Sequence, residues 1–347
     1  MRQRPLKRTR LKKALPALFC AVIAVLLPLL TGCKRETPTV TEPTTAVTTT
    51  ENTAQTFARQ RVEDSIKTAL ELVKKSPVGG WSSTVSYEYQ QDNAAYAGLN
   101  SDQQALYDEM LPKVKDLTPF TYTAKDRGYA VLDNVLMAAS ALCRDHPGYE
   151  NYFDIEEVVE GDRTTALRAC YFLPYDATAA AADIKQIKEE IQIFEEECNL
   201  IVSAIPKTFS AYDKYRYLAA VISLRTTYDN DSVGGKPTAT AYGAIEGGSS
   251  ICQGYASGFE YLCRKANLWC TQVSGVSQDT AHAWNLVKLE SGTYHVDLTW
   301  ADADGNTPLD PAWQSYFMLT QEEILLDHQM DDGTVATGKN QPQTPAP

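Results

Sequence analysis

Gly247-Gly248-Ser249-Ser250-Ile251-Cys252-Gln253-Gly254-Tyr255 opens the stretch on which the reading of this chain turns. His282-Ala283-Trp284-Asn285 continues it, and Tyr294-His295-Val296-Asp297-Leu298-Thr299-Trp300 closes it. Glycines and serines precede Cys252, and a helical pattern follows it. Tyr255, Ala256, Phe259, Leu262, Cys263 and Ala266 recur at three- and four-residue spacing, which predicts a mostly buried helix. Cys252 falls at or near its N-terminus, with Ser249 or Ser250 placed to cap it. Unpaired amides and the positive end of the helix dipole stabilise a thiolate there. The same amides are placed to hold an oxyanion.

His282 opens a hydrophobic, strand-like run. Ser291-Gly292 is a turn signal, and Thr293 to Thr299 reads as a second strand, so the two form a hairpin. His282 and Asp297 point to the same face in either of two registers. With Ser291-Gly292 as the loop, Asp297 lies opposite Leu286, roughly 13 Å along the strand from His282. With Glu290-Ser291 as the loop the two become diagonal neighbours, roughly 7–8 Å apart between Cα atoms. Cysteine, histidine and aspartate then have the order and settings of a nucleophile, a base and an orienting acid.

The Cys252 helix start, the His-Ala-Trp-Asn run and the Asp-Leu-Thr-Trp run together resemble the transglutaminase-like superfamily. They are most similar to its bacterial group with a Cys-Gln-Gly-Tyr-Ala motif, present here as Cys252 to Ala256. The resemblance is specific over residues 214–328 and weak before them. It implies an α+β, papain-like core in which a helix bearing the cysteine packs on an antiparallel sheet bearing the histidine and aspartate. It also implies a catalytic triad of Cys252, His282 and Asp297. Some members of the family crosslink proteins, many hydrolyse amides, and some have no demonstrated activity. The expected function is acyl transfer on amide bonds of a protein or peptide, cell-wall peptides among them, by hydrolysis or transamidation. The alternative is a non-catalytic cell-surface binding module on the same fold.

Other residues carry weaker expectations. Oxyanion donors are sought at Cys252, Gln253 and Tyr242. Trp284, Trp300 and Tyr255 are candidates for walls of a substrate groove, against an ordinary role in the core. His295 is the rival imidazole should the register slip. His146 precedes Pro147 at a helix end and reads as a cap, and nothing assigns His328 a role. Asp302-Ala303-Asp304-Gly305-Asn306 reads as an acidic turn, since the later ligands of a calcium loop are missing. No His/Cys pair has zinc spacing, so neither metal nor cofactor is expected.

Composition bounds the rest. The chain has 347 residues, is 44% hydrophobic, and has a formal charge of −12. Seven of its 32 basic residues lie in the first 13 positions, which hold no acid; without them the charge is −12 − 7 = −19. So acidic a protein is unsuited to binding nucleic acid through phosphates.

Residues 1–33 read as a signal peptide, with a cationic start and an apolar run from Ala14 to Leu30, short for a membrane span. The run ends in Leu30-Thr31-Gly32-Cys33, which resembles a bacterial lipobox. On that reading Cys33 carries a lipid and holds the protein on the outer face of a bacterial cell membrane. Residues 34–55, rich in Thr, Pro and Glu, read as a disordered tether. Residues 56–206 read as a mainly helical region, either a separate domain or a layer packed on the core. Residues 207–330 form the core, and 331–347 a disordered tail. Of the eight cysteines, Cys143, Cys170, Cys198, Cys252, Cys263 and Cys270 remain after processing and lipidation.

Overall fold

The computed structural model describes residues 47–75, 94–128, 130–171, 184–230 and 236–331. The segment read as a signal peptide, with Cys33, and the tail beyond residue 331 lie outside them. No helix among the described residues is long and apolar enough to cross a membrane.

The architecture is α+β. In chain order the principal elements are helix α1 (Val47–Lys75), helix α2 (Ser101–Lys115), strand β1 (Thr121–Thr123), helix α3 (Ala130–Asp145), strands β2 (Phe153–Glu160) and β3 (Arg163–Tyr171), helix α4 (Ile184–Ser203), and helix α5 (Ala211–Arg225). Strands β4 (Thr227–Tyr228) and β5 (Ser249–Ser250) follow, then helix α6 (Cys252–Lys265) and strands β6 (Cys270–Ser277), β7 (Thr280–Leu289) and β8 (Gly292–Val296). A single turn of helix, α7 (Leu298–Ala301), strand β9 (Phe317–Leu319), a second short turn, α8 (Gln321–Ile324), and strand β10 (His328–Met330) come last among the described residues.

The main sheet is antiparallel, in the order β10-β6-β7-β8-β9. The β6–β7 turn is two residues long, with Gln278 and Asp279 both at positive φ, as a tight hairpin requires. The β7–β8 register pairs Leu289 with Gly292 and Asn285 with Val296, so Glu290-Ser291 is the loop. This is the register that brings Asp297 diagonal to His282.

One hydrophobic core lies between this sheet and its helices. It takes Tyr215, Leu218 and Ile222 from α5, Phe259 and Leu262 from α6, and Val287 and Leu289 from β7. Val62, Ala69 and Val73 of α1 and Phe194, Cys198 and Ile201 of α4 belong to the same cluster. Residues 94–171 build a second cluster, in which Leu106 and Met110 of α2 and Val135 and Leu142 of α3 cover Phe153 and Leu167 of the sheet β1-β3-β2. The N-terminal region, read as mainly helical, therefore also holds a three-stranded sheet, and its first and last helices pack into the core. Arg264 of α6 ties the two parts together, donating to the Arg144 carbonyl at 2.6 Å and meeting Asp145 at 3.3 Å.

Residues 47–55, assigned by composition to the tether, are the first turns of α1. A helix already nucleated by packed residues extends at little cost, and this stretch holds neither Pro nor Gly.

Candidate active site

Cys252 is the first residue of α6, and the cap position belongs to Ile251, which makes no side-chain cap. Neither serine caps the helix by its side chain. Ser250 Oγ instead donates to the Thr238 carbonyl at 2.9 Å. The first-turn amides are thus uncovered by any capping side chain, with Cys252 half-buried above them. Gly254 makes the close packing possible. A Cβ there would lie 2.2 Å from Ser250 Oγ and 2.4 Å from the Thr238 carbonyl oxygen.

The structure brings Cys252, His282 and Asp297 together. His282 Nε2 meets Asp297 Oδ2 at 2.8 Å. Nδ1 is the ring nitrogen left for Cys252, whose sulfur lies against the same imidazole and raises its pKa. Burial alone would push His282 down; the Asp297 carboxylate and the Cys252 sulfur outweigh it and raise the group to about 10. Asp297 lies one residue past β8 and caps α7, its Oδ1 accepting from the amides of Thr299 and Trp300 at 3.0 and 3.2 Å. Burial works to raise this carboxyl, but the two histidines bonded to it, His282 and His328, hold it below the usual carboxylate range.

Asn285 explains the rest of the His-Ala-Trp-Asn run. Its Nδ2 donates to the Ala256 carbonyl of α6 at 3.0 Å. Trp284 alternates to the opposite face and packs with Val273, Leu286 and Ile324. Its Nε1 donates to His295 Nδ1 at 3.0 Å, and His295 Nε2 donates to Gln321 at 3.0 Å. His295 is fully buried and committed to these two bonds, away from the cysteine.

Several expected site residues do not take the part expected of them, although Trp284 stacks on the His282 ring with centroids 5.8 Å apart. Trp284 and Tyr255 are each 1% exposed and so cannot wall an open groove. The Tyr255 hydroxyl donates to Asp302 at 2.7 Å. Tyr242 packs against Tyr152 and Phe194, toward α4 rather than toward Cys252. The exposed Gln253 side chain turns to Gln272 at 2.7 Å, which leaves its backbone amide as its contribution at the helix start. His146 occupies a cap position but makes no side-chain cap. Trp300 is half-buried beside His282, with ring centroids 6.3 Å apart, and stacks on Tyr316.

Two residues were not legible as part of the site. Tyr228, 42% exposed, lies close enough to Cys252 to feel its charge and stacks on Tyr255. His328 Nε2 meets Asp297 Oδ2 at 2.9 Å, the same oxygen that His282 engages. His282, Asp297 and His328 are the histidine–acid group among the described residues whose ligand atoms converge, all within 4.8 Å. Those atoms are spent on one another through the shared oxygen, which makes the cluster a hydrogen-bonded unit. Cys252 is not in a disulfide.

Residues 203–304 match the model of the transglutaminase-like superfamily, and the chain carries a transglutaminase-like domain with the corresponding α+β fold. Over 89 residues it is 34% identical to the kyphoscoliosis peptidase of Mus musculus and, equally, to that of Homo sapiens. Those alignments cover 22% of this chain and 13% of each relative. A solved structure described as a TGase aligns with 42% of this chain and 43% of its own, at 12% identity and a TM-score of 0.29, too low to bear on function.

Proposed function

We propose that this protein is a thiol enzyme that performs acyl transfer on amide bonds of proteins or peptides, with Cys252 as nucleophile, His282 as base and acid, and Asp297 as the group that orients the imidazole. The observation that carries the reading is one imidazole held between a buried carboxylate and a cysteine at an uncapped helix start. In the first step the Cys252 sulfur, its proton taken by His282, attacks the amide carbon. The carbonyl oxygen becomes an oxyanion facing the amides of Cys252 and Gln253. The C–N bond then breaks, the amine leaves with the proton from His282, and a thioester remains on Cys252. Water restores the thiol and releases an acid, whereas a primary amine restores it and forms a new amide.

Exposed Tyr228 and half-buried Trp300 are accessible aromatic surfaces beside the reacting pair, and we assign them the walls of the substrate site. The peptidase names of the mammalian relatives favour hydrolysis. The lipobox-like segment supports our further reading that the enzyme is anchored through Cys33 on the outer face of a bacterial cell membrane.

The test is the rate of Cys252 alkylation by iodoacetamide against pH, read by mass spectrometry beside His282→Ala and Cys252→Ala. A thiol reactive well below the free value of about 8.5, and slowed in the histidine variant, supports the proposal. A thiol of ordinary reactivity, unchanged without His282, overturns it in favour of a binding module.

A further inference from the structure

His328 begins the edge strand β10, pairs with Ser277 of β6, and has a side chain with no exposed surface. Its two ring nitrogens face two different carboxylates. Nε2 lies 2.9 Å from Asp297 Oδ2, and Nδ1 lies 2.5 Å from Asp327 Oδ1. An ionised carboxylate can only accept, so in the contact with Asp297 the His328 Nε2–H is the donor. Asp327 is held in turn by the Tyr316 hydroxyl, which donates to Oδ2 at 2.9 Å. The ring is walled by Trp284 at 4.9 Å and His282 at 5.4 Å between centroids.

We infer that His328 is a positioning residue for the proposed reaction. Anchored by Asp327, it holds the plane of the Asp297 carboxylate so that Oδ2 stays aimed at His282. The inference rests on the proposed triad. Backbone amides pin one oxygen of Asp297, but a carboxylate pinned at one oxygen still rocks about that contact. The second donor on Oδ2 removes this freedom, and it comes from a strand on the far side of β6 from β7. His328 touches neither Cys252 nor a substrate, so it acts only through Asp297 and His282. Removing it leaves a lone pair of a buried carboxylate without a donor, a loss that carries a cost beyond the bond itself. The consequence falls on the orientation of the His282 ring, on which thiolate formation at Cys252 depends.

The experiment measures alkylation of Cys252 by iodoacetamide from pH 5 to 9, with thermal unfolding in parallel. It uses wild-type protein, His282→Ala, His328→Phe, His328→Gln and Asp327→Asn. The expected result is that His328→Phe slows alkylation at least tenfold at neutral pH and moves its pH profile toward that of His282→Ala. His328→Gln, whose amide can still donate to Asp297, should recover part of the rate. Asp327→Asn, a change at a partly exposed side chain, should slow the reaction less than His328→Phe and remains informative if that variant does not fold. Wild-type rates in His328→Phe, or in Asp327→Asn where only that variant folds, overturn the positioning role. A wild-type thiol that is indifferent to His282→Ala overturns the triad itself, a separate and recognisable outcome.

Discussion

Asn285 of β7 donates its side-chain amide to the Ala256 carbonyl of α6 at 3.0 Å, so the strand that carries His282 directly holds the helix that carries Cys252. The bond lies among fully buried neighbours, and its geometry couples two elements whose relative placement decides whether sulfur and imidazole meet. Asn285→Ala should cost about 1–2 kcal/mol of stability and slow Cys252 alkylation. Urea unfolding and iodoacetamide kinetics on the same samples check both. A variant with lowered stability and an unchanged alkylation rate would limit Asn285 to a structural part.

Gly254 offers a sharper test of the close approach beneath Cys252. Gly254→Ala drives its new carbon into Ser250 Oγ and the backbone oxygens of Thr238 and Thr240, the last at 2.8 Å. Overpacking of this kind costs about 3 kcal/mol. Adding Ser250→Ala removes only one of the three obstacles, so the double variant should recover little, as measured by the urea midpoint.

The pH dependence of the triad has a definite sign. His282 is raised from 6.5 to about 10, so its contribution to stability is complete below pH 6.5 and fades as pH rises toward 10. Asp297 is lowered from 3.8, so its contribution is complete above that value and is lost as pH falls through the depressed value. The difference in melting temperature between wild type and His282→Ala should therefore be greatest between about pH 4 and 6.5 and shrink toward pH 10. A difference that grows with rising pH would contradict the pairing.

Asp302 behaves in the opposite way. Burial pushes its carboxyl from 3.8 up to about 7, only partly offset by the Tyr255 hydroxyl. A group raised in this manner favours the folded state when protonated, so wild-type protein should lose stability as pH rises from 3.8 through about 7. Asp302→Asn removes that titration. It should melt above wild type at pH 8 and lose the advantage at pH 4, which a series of thermal scans will show.

Much of the site was legible because its signals are local. The glycines before Cys252, the helical spacing after it and the turn after β7 all lie within a few residues of the groups they place. Turn chemistry left two registers open, and the structure takes the one with Glu290-Ser291 as the loop. Trp284 and Tyr255 misled as groove walls because an aromatic beside a reactive group reads alike whether it faces solvent or the interior. Their burial depends on α8 and on Asp302, both remote in sequence. His328 carried no local signal at all. It reaches Asp297 across 31 residues through an edge strand paired to β6, and edge pairing of three-residue strands leaves little periodicity to read. The roles of α1 and α4 in the core were hidden for the same reason: amphipathic spacing shows that a helix has an apolar face, not which partner covers it.

The span of family similarity, residues 203–304, is narrower than the body that must fold around the cysteine. A polypeptide cut to those limits would lose Val62 and Val73 of α1 and Phe194 and Ile201 of α4, stripping apolar cover from α5 and α6. It would also lose β9 and β10, leaving a sheet with two raw edges and a tendency to self-associate. Recombinant fragments should therefore run from α1 to β10, and hydrogen exchange over α1, α4 and α6 should report one shared opening event rather than three.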